Sequence, residues 1–399
     1  MPFRLSGAVL VLALAQTAQQ PQQQPVIRGG VEFVLVDVQV TSKDGTPALG
    51  LKADQFEVTI DGNKRPVASL DFVQFAPRAE GAAPAAAPAA AGSAGAIARE
   101  GRTIIIGVDQ SSIQIASEPA AHEAVTRLIA MANPEDAIGL VGFPGPGVSI
   151  APTRDREAIK AGLRKISGQL QIPRTRMNIS LAEAADFTAR DVDARQRLIA
   201  RECPQGGQVC ALEVEQSCVE IAGTFEMQAL RSISGLHSLM EAVREYPGRK
   251  TVVVISAGFA TSDRIGGRPD IRLEADLLGQ RAAEANAVLY SLHLDVSFLT
   301  TFSAANAGRG IQTVFRNSGM FANGLERFTG SAGGTLITVN AGPDPALKRL
   351  LRETSSYYML AVEALPAHRD GKVHRIQVKV KQGGAQVRSR TAVFIPKAQ

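Results

Sequence analysis

The sequence predicts a mixed α/β protein: a doubly wound, mostly parallel sheet inserted in, or flanked by, an antiparallel β-sandwich. Residues 101–354 alternate short, continuously apolar runs with helical stretches. This pattern is typical of parallel strands buried on both faces and connected by helices. Residues 28–76 and 355–399 instead alternate apolar and polar side chains between turn-forming stretches, which is typical of antiparallel strands.

The N-terminal strands are predicted from alternation and from turn residues. Four valines at every second position from Val34 to Val40 share one face, and the alternation returns at 56–60 after the turn "SKDG". The segment 77–100 is rich in Ala, Pro and Gly and has almost no large apolar side chain. Because such a segment cannot bury enough surface to order itself, we interpret it as a linker.

The α/β region is predicted from five buried strands and the helical stretches between them. The strands read "TIIIGVD", "AIGLVGF", "TVVVISAGF", "AVLYSLHLD" and "GGTLITV". The helices are expected at 118–132, 155–168, 179–200, 211–245, 270–286, 321–329 and 343–354. The segment 297–324 is interpreted mainly as a surface loop with one short helix, although its small and apolar residues would also suit a binding loop.

The C-terminal residues return to alternation in "YYMLAVEA", "HRIQVKVK" and "RSRTAVFIP". Each end of the chain offers too few strands for a stable sheet of its own. We therefore expect the two ends to share one β-sandwich.

Composition and the N-terminus indicate an exported protein. Arg4 precedes an apolar run from Leu5 to Ala15, and Ala13-Leu14-Ala15 provides a small-x-small cleavage site, so residues 1–18 resemble an export signal. The run is short for a bilayer span, and no second one follows. The net charge of +5 comes from interspersed residues without a basic block, which argues against nucleic-acid binding. We expect a periplasmic or secreted protein.

The three cysteines lie close together in the sequence, at positions 203, 210 and 218. The turn-forming loop "CPQGGQVC" favours a disulfide between Cys203 and Cys210 in an oxidising compartment. A Cys203–Cys218 pair is the competing arrangement. A zinc site is the other alternative, but no histidine lies nearby in the sequence to complete four ligands.

Several segments together resemble the von Willebrand factor A domain family. They are "IIIGVDQSSI", "DAIGLVGF", "MNISLAEA", "VVVISAGF" and "LERFTGSAGGTLITV", in the family's order and spacing. The flanking strands resemble the acidobacterial type of A-domain-related protein. The resemblance implies a metal-ion-dependent adhesion site: Asp-x-Ser-x-Ser plus a threonine and an aspartate from other loops, holding Mg²⁺ through hard oxygens.

This chain departs from the pattern at three of the five positions. Asp109 and Ser111 remain, but Ile113, Met177 and Ala257 replace the oxygen ligands. We therefore predict that no cofactor is bound, with Mg²⁺ on Asp109 and Ser111 as the alternative. The side-chain oxygens of the neighbouring residues Ser112, Thr175 and Asp263 are expected to be out of register with the site and to point elsewhere.

The predicted binding surface comprises Asp109, Ser111, Ser112, Thr175, Asn178, Ser256 and Asp263. In the simplest structural interpretation, Asp109 and its serines cap the first helix or its loop.

These observations predict an exported, non-enzymatic binding or scaffolding protein whose strand-end surface meets a protein partner in the cell envelope. A metal-dependent adhesion module is the second hypothesis. A periplasmic hydrolase is the third, because His293 and Asp295 end one strand beside Ser256 on another. No Gly-x-Ser-x-Gly or His-Glu-x-x-His motif supports the hydrolase.

Overall fold

The computed structural model describes residues 33–76, 96–173, 175–261, 269–295, 311–339 and 342–397. The predicted export signal, most of the predicted linker and Asp263 lie outside these ranges. No helix among the described residues is long and apolar enough to cross a membrane.

The described residues form strands and helices in an alternating order. The strands are β1 Phe33–Thr41, β2 Phe56–Ile60, β3 Asn63–Arg65, β4 Val67–Ala76, β5 Ala96–Glu100, β6 Thr103–Asp109, β7 Ala137–Phe143, β8 Ser149–Thr153, β9 Lys250–Ser256, β10 Ala287–Leu294, β11 Leu336–Val339, β12 Ser356–Glu363, β13 Lys372–Val380, β14 Gln386–Ser389 and β15 Ala392–Ile395. The helices are α1 Pro119–Met131, α2 Arg156–Leu163, α3 Leu181–Thr188, α4 Val192–Glu202, α5 Gln208–Val243, α6 Arg272–Glu284, α7 Ile311–Ser331 and α8 Asp344–Glu353.

The central sheet has six strands in the order β11-β10-β9-β6-β7-β8. All neighbours are parallel except β8, which runs antiparallel to β7. Side chains from one face pack on α1, α2 and α8, and those from the other face pack on α5, α6 and α7. Helices on both faces explain why the strands are apolar throughout, and the predicted mixed α/β class is confirmed.

The remaining strands form two smaller sheets that contain both ends of the chain. Their orders are β14-β1-β12-β4-β5 and β15-β13-β2-β3. β12 lies between β1 and β4 and runs antiparallel to both, while β13 pairs with β2. One apolar core joins the two sheets, with Val36, Ile60 and Leu360 fully buried in it. Neither end could bury this surface without the other.

A polar seam joins the five-stranded sheet to the α/β region. Arg102, just before β6, forms a buried pair with Asp136 at 2.6 Å and donates to the Thr354 hydroxyl at 2.8 Å. Tyr290 in the central sheet donates to Gln39 of β1. Since a buried polar group without a partner destabilises the fold, these bonds fix how the two parts pack.

Two helical predictions need correction. The predicted helix at 179–200 is broken into α3 and α4, because Arg190 adopts a φ of 62° and Asp191 caps α4 through the Ala194 amide. The segment 297–324 was interpreted mainly as a surface loop with one short helix; residues 297–310 lie outside the described ranges, and the helix predicted from 321 begins at 311. Its glycines lower helix propensity, but Gly324 is required by packing: a Cβ there would lie 2.6 Å from the Phe259 carbonyl oxygen.

The end of the predicted linker also differs from expectation. Residues 96–100 form β5, which pairs in parallel with β4. The amino-acid composition of the segment gives no indication of this backbone pairing between β5 and β4.

The predicted disulfide between Cys203 and Cys210 is present, with the two Cα atoms 6.0 Å apart. It ties the end of α4 to the first turn of α5. Cys218 is a buried free thiol, and burial raises its pKa to about 12. A thiol in this state is a poor nucleophile.

We expect the double substitution Cys203→Ser and Cys210→Ser to lower the free energy of unfolding by about 2 to 3 kcal/mol, because the disulfide restricts the unfolded chain. Denaturant unfolding of both proteins measures the difference. A thiol titration of the unfolded parent without reductant should find only Cys218. Equal stability, or reaction at all three cysteines, would contradict the assignment.

Candidate functional site

The candidate site lies where the central strands end. Asp109 is the last residue of β6, and Ser256 is the last residue of the neighbouring β9. His293 lies opposite Ser256 on β10. Parallel strands bring their carboxyl ends to the same edge of a sheet, so these side chains from distant parts of the sequence lie along one edge of the sheet.

Hydroxyl groups surround the Asp109 carboxylate. Ser111 donates to Oδ1 at 2.7 Å, while Ser232 and Ser256 each donate to Oδ2 at 2.8 Å. Asp109 is 1% exposed. Both carboxylate oxygens are therefore occupied by protein donors, as a buried charge requires.

A second layer of contacts holds these serines in place. Ser112 donates to the Asp109 carbonyl and accepts the Ala257 amide proton at 3.0 Å. Gly258 donates its amide proton to Ser256, and Gln228 donates to Ser232, both at 3.0 Å. If Asp109 is ionised, every one of the four serine protons has an acceptor.

The position of Ser112 corrects the register prediction. It was expected to point away from the site, but its hydroxyl lies 3.0 Å from that of Ser256. The chain leaves the extended conformation after Asp109 and turns, so the two-residue alternation of a strand no longer applies. The interpretation that these residues cap the first helix or its connecting loop holds for the loop, where Ser111 and Ser112 both bond to Asp109; α1 itself begins further on, at Pro119.

Helix α5 supplies the two residues that the sequence analysis missed. Gln228 and Ser232 are four residues apart, so they share the buried face of this helix. A polar pair at this spacing on an otherwise apolar face was the available signal. Their partner Asp109 is more than a hundred residues away in sequence, so the signal did not identify the contact.

Burial raises the pKa of the Asp109 carboxyl, and the hydrogen bonds from Ser111, Ser232, Ser256 and Ser112 oppose that shift without cancelling it. Desolvation disfavours the ionised form of the Asp109 carboxyl, whereas hydrogen bonds from the hydroxyl groups favour the ionised form. The net effect is a pKa above the usual value for an aspartate.

The donors at this cluster do not fit Mg²⁺. Among the residues that the structure describes, Asp109 is the only carboxylate in the hydroxyl cluster, and its oxygens already accept three protons. Ile113 packs in the apolar core, and Met177 packs against the core around α3. Among the described residues, no group of three or more His, Cys, Asp or Glu could hold a metal ion. A hard cation that prefers six oxygens would find one charged ligand here.

Two other predicted site residues lie in a separate loop. The Thr175 hydroxyl donates to the Met177 carbonyl at 2.8 Å, and the Asn178 amide donates to Glu202 at 2.8 Å. The first contact is internal to the loop, and the second links the loop to Glu202 of α4. Asp263 lies outside the described residues.

The residues of the hydrolase hypothesis are close but differently bonded. The Ser256 hydroxyl bonds to Asp109 and Ser112, and no hydrogen bond joins it to His293 within the described chain. His293 is 1% exposed. Burial lowers its pKa, although Asp295 and the Ala257 backbone act in the opposite direction. Asp295 accepts a hydrogen bond from Ser318 of α7.

Above the buried cluster, two loops meet at the surface. The Ile115 amide donates to the Leu170 carbonyl at 3.2 Å, and Gln114 forms a β-bridge with Leu170. Ile115 and Ile172 are 49% and 43% exposed on these loops. Ile115 and Ile172 are thus two exposed branched apolar side chains on loops that the Gln114–Leu170 bridge joins. The sequence analysis did not single out either isoleucine.

Comparison of the chain with known protein families finds no matching family model, and comparison with curated proteins finds no match either.

We expect Ser232→Ala to lower the free energy of unfolding by about 1 to 3 kcal/mol, because Asp109 loses a donor in a buried site and Gln228 loses its acceptor. Ser234→Ala is the matched control: it is exposed on the same helix and should change stability by less than about 0.5 kcal/mol. Denaturant unfolding compares them. Equal effects of the two substitutions would show that the Ser232 bond is unimportant.

We expect Asp109→Asn to alter the pH dependence of stability. Since the folded pKa of Asp109 is raised, the native state retains this proton above about pH 4, where the unfolded carboxyl ionises. Stability of the parent should fall as pH rises through this window, and asparagine cannot titrate. Urea unfolding between pH 4 and 7 should therefore show the variant gaining stability relative to the parent. A relative loss would mean that the serines outweigh burial.

Proposed function

We propose that this chain is an exported, non-enzymatic protein-binding protein with a von Willebrand factor A-like domain that works without a metal. The observation that carries the proposal is the closed hydroxyl cluster: both oxygens of Asp109 accept protons from serines on three different elements. A carboxylate used in this way holds β6, β9 and α5 together. It is not available to a metal or to a partner's acidic side chain.

The contact with a partner would then rest on the surface above the cluster. Ile115 and Ile172 are the exposed apolar side chains of the two bridged loops. Backbone bridging reduces the conformational freedom that binding would remove. Apolar anchors on rigid backbone, surrounded by polar groups, are suited to protein partners.

Export is part of the same proposal. It is supported by the sequence pattern of residues 1–18 and by the Cys203–Cys210 disulfide, since disulfides persist in oxidising compartments. A partner in the cell envelope follows from that location.

We expect millimolar Mg²⁺ to leave the melting temperature unchanged. A ligand present at 100 times its dissociation constant stabilises the folded state by about 2.7 kcal/mol, which is about two degrees or more for a chain of this size. As a gain-of-binding control, Ser232→Ala with Ala257→Asp removes one of the two donors to Oδ2 of Asp109 and adds a carboxylate beside Ser112. A Mg²⁺-dependent shift in the parent would contradict metal independence.

Partner capture tests the binding surface. Immobilised parent protein and the variants Ile115→Glu and Ile172→Glu are incubated with an envelope extract of the source organism, and bound proteins are identified by mass spectrometry. We expect a protein retained by the parent and lost from both variants, but kept by Leu273→Glu, which changes an exposed leucine on α6. Retention by all four proteins would place the contact elsewhere.

A further inference from the structure

Helix α5 carries an exposed stripe that no described part of the chain covers. We define the α5 stripe as Val209, Leu212, Gln216, Val219, Gly223, Met227 and Leu230, all of which are exposed. Consecutive members are three or four residues apart, which places them on one side of a helix. Val209 is 73% exposed, and Leu212 and Val219 are each 58% exposed.

The stripe lies opposite the buried face of the same helix. Val214, Cys218 and Phe225 are buried against α3 and α4, and at 100° per residue their directions are opposite to those of the stripe. The packing of this region is therefore complete without the stripe. A narrow apolar line repeating every three and four residues is the pattern with which one helix contacts another.

The flanks of the stripe are acidic. Glu213 and Glu220 lie along one side, and Glu215 and Glu226 lie along the other. No Lys or Arg occurs from position 208 to 230, although the chain as a whole has a net charge of +5. Among the described residues, only Glu215 of these four has an ion pair, with Arg195 at 3.8 Å, and a pair at that distance and exposure is weak.

We propose that the α5 stripe binds a basic amphipathic helix of another protein. An apolar seam on that helix would cover the five apolar side chains, and its Lys or Arg residues would meet the glutamates. Gly223 leaves room at the middle of the stripe, since a Cβ there would have no atom within 4 Å. A large side chain of the partner fits at this position.

The same charges disfavour a second copy of this chain as the partner. In a parallel pairing of two α5 helices, Glu215 would face Glu220 of the other copy. In an antiparallel pairing centred on the stripe, the two Glu220 side chains would meet at the axis. Like charges at such positions destabilise helix pairs, so the stripe favours a partner of opposite charge.

This inference does not depend on the strand-end surface. The α5 stripe and the Ile115–Ile172 surface involve different residues. If a substitution abolishes binding at one of these surfaces, binding at the other can still be measured. Ile115→Glu therefore serves as a control for the stripe, and stripe variants serve as controls for Ile115.

The test uses two labelled three-heptad peptides with leucine at the a and d positions. One carries lysine at e and g, and the other carries glutamate there. Fluorescence anisotropy with the full chain should show binding of the lysine peptide and at least tenfold weaker binding of the glutamate peptide. Leu212→Glu with Leu230→Glu should weaken lysine-peptide binding at least tenfold, whereas Ile115→Glu should not change it.

A charge exchange separates specific docking from general attraction. Glu213→Lys with Glu220→Lys should shift the preference from the lysine peptide to the glutamate peptide. All substituted residues are exposed, and cooperative thermal unfolding verifies that each variant folds. Unchanged binding by the double leucine variant, equal binding of the two peptides, or a parent dimer that the leucine substitutions dissociate would overturn the proposal.

Discussion

A single buried carboxylate constrains how the α/β region is assembled. Asp109 ends the central strand without contact to solvent, and a negative charge in that position requires several donors. The chain provides them from the turn after β6, from β9 and from α5. Because Ser232 must reach this carboxylate, the long helix is fixed over the sheet in one register. Its N-terminal turns pack against α3 and α4, and the Cys203–Cys210 disulfide joins it to the end of α4.

Much of the framework could be predicted because it follows from local periodicity. Continuous β-branched runs such as Ile104–Ile106 identify strands covered on both sides, and alternating valines identify strands covered on one. The Cys203–Cys210 disulfide could be predicted because a short loop with turn-forming residues separates the two cysteines. These features depend on neighbours in sequence, where elementary sterics and hydrophobicity decide the outcome.

The predictions that were wrong or incomplete concern residues whose positions depend on contacts distant in sequence, or segments whose backbone no longer follows the regular repeat of a strand or helix. Ser112 joins the cluster because the strand has ended, so alternation gave the wrong direction for its side chain. Ser232 contributes through tertiary packing across more than a hundred residues. The first turns of helix α7 were interpreted as loop because of their small and apolar residues, whereas the predicted helix at 321–329 already included Gly324, which packs against Phe259. In each case long-range packing outweighs the local preference.

The polar seam has a mechanical consequence. The α/β region leaves the sandwich at Arg102 and returns at Thr354, and these two residues are hydrogen-bonded to each other. A tensile load applied between Phe33 and Lys397 runs through the strands of the sandwich. The chain enters and leaves the α/β region at these two adjoining points, so a load carried along the chain bypasses that region until the two end sheets separate. The strand-end surface and the outer face of α5 can thus keep their shape while the two ends of the chain are under tension.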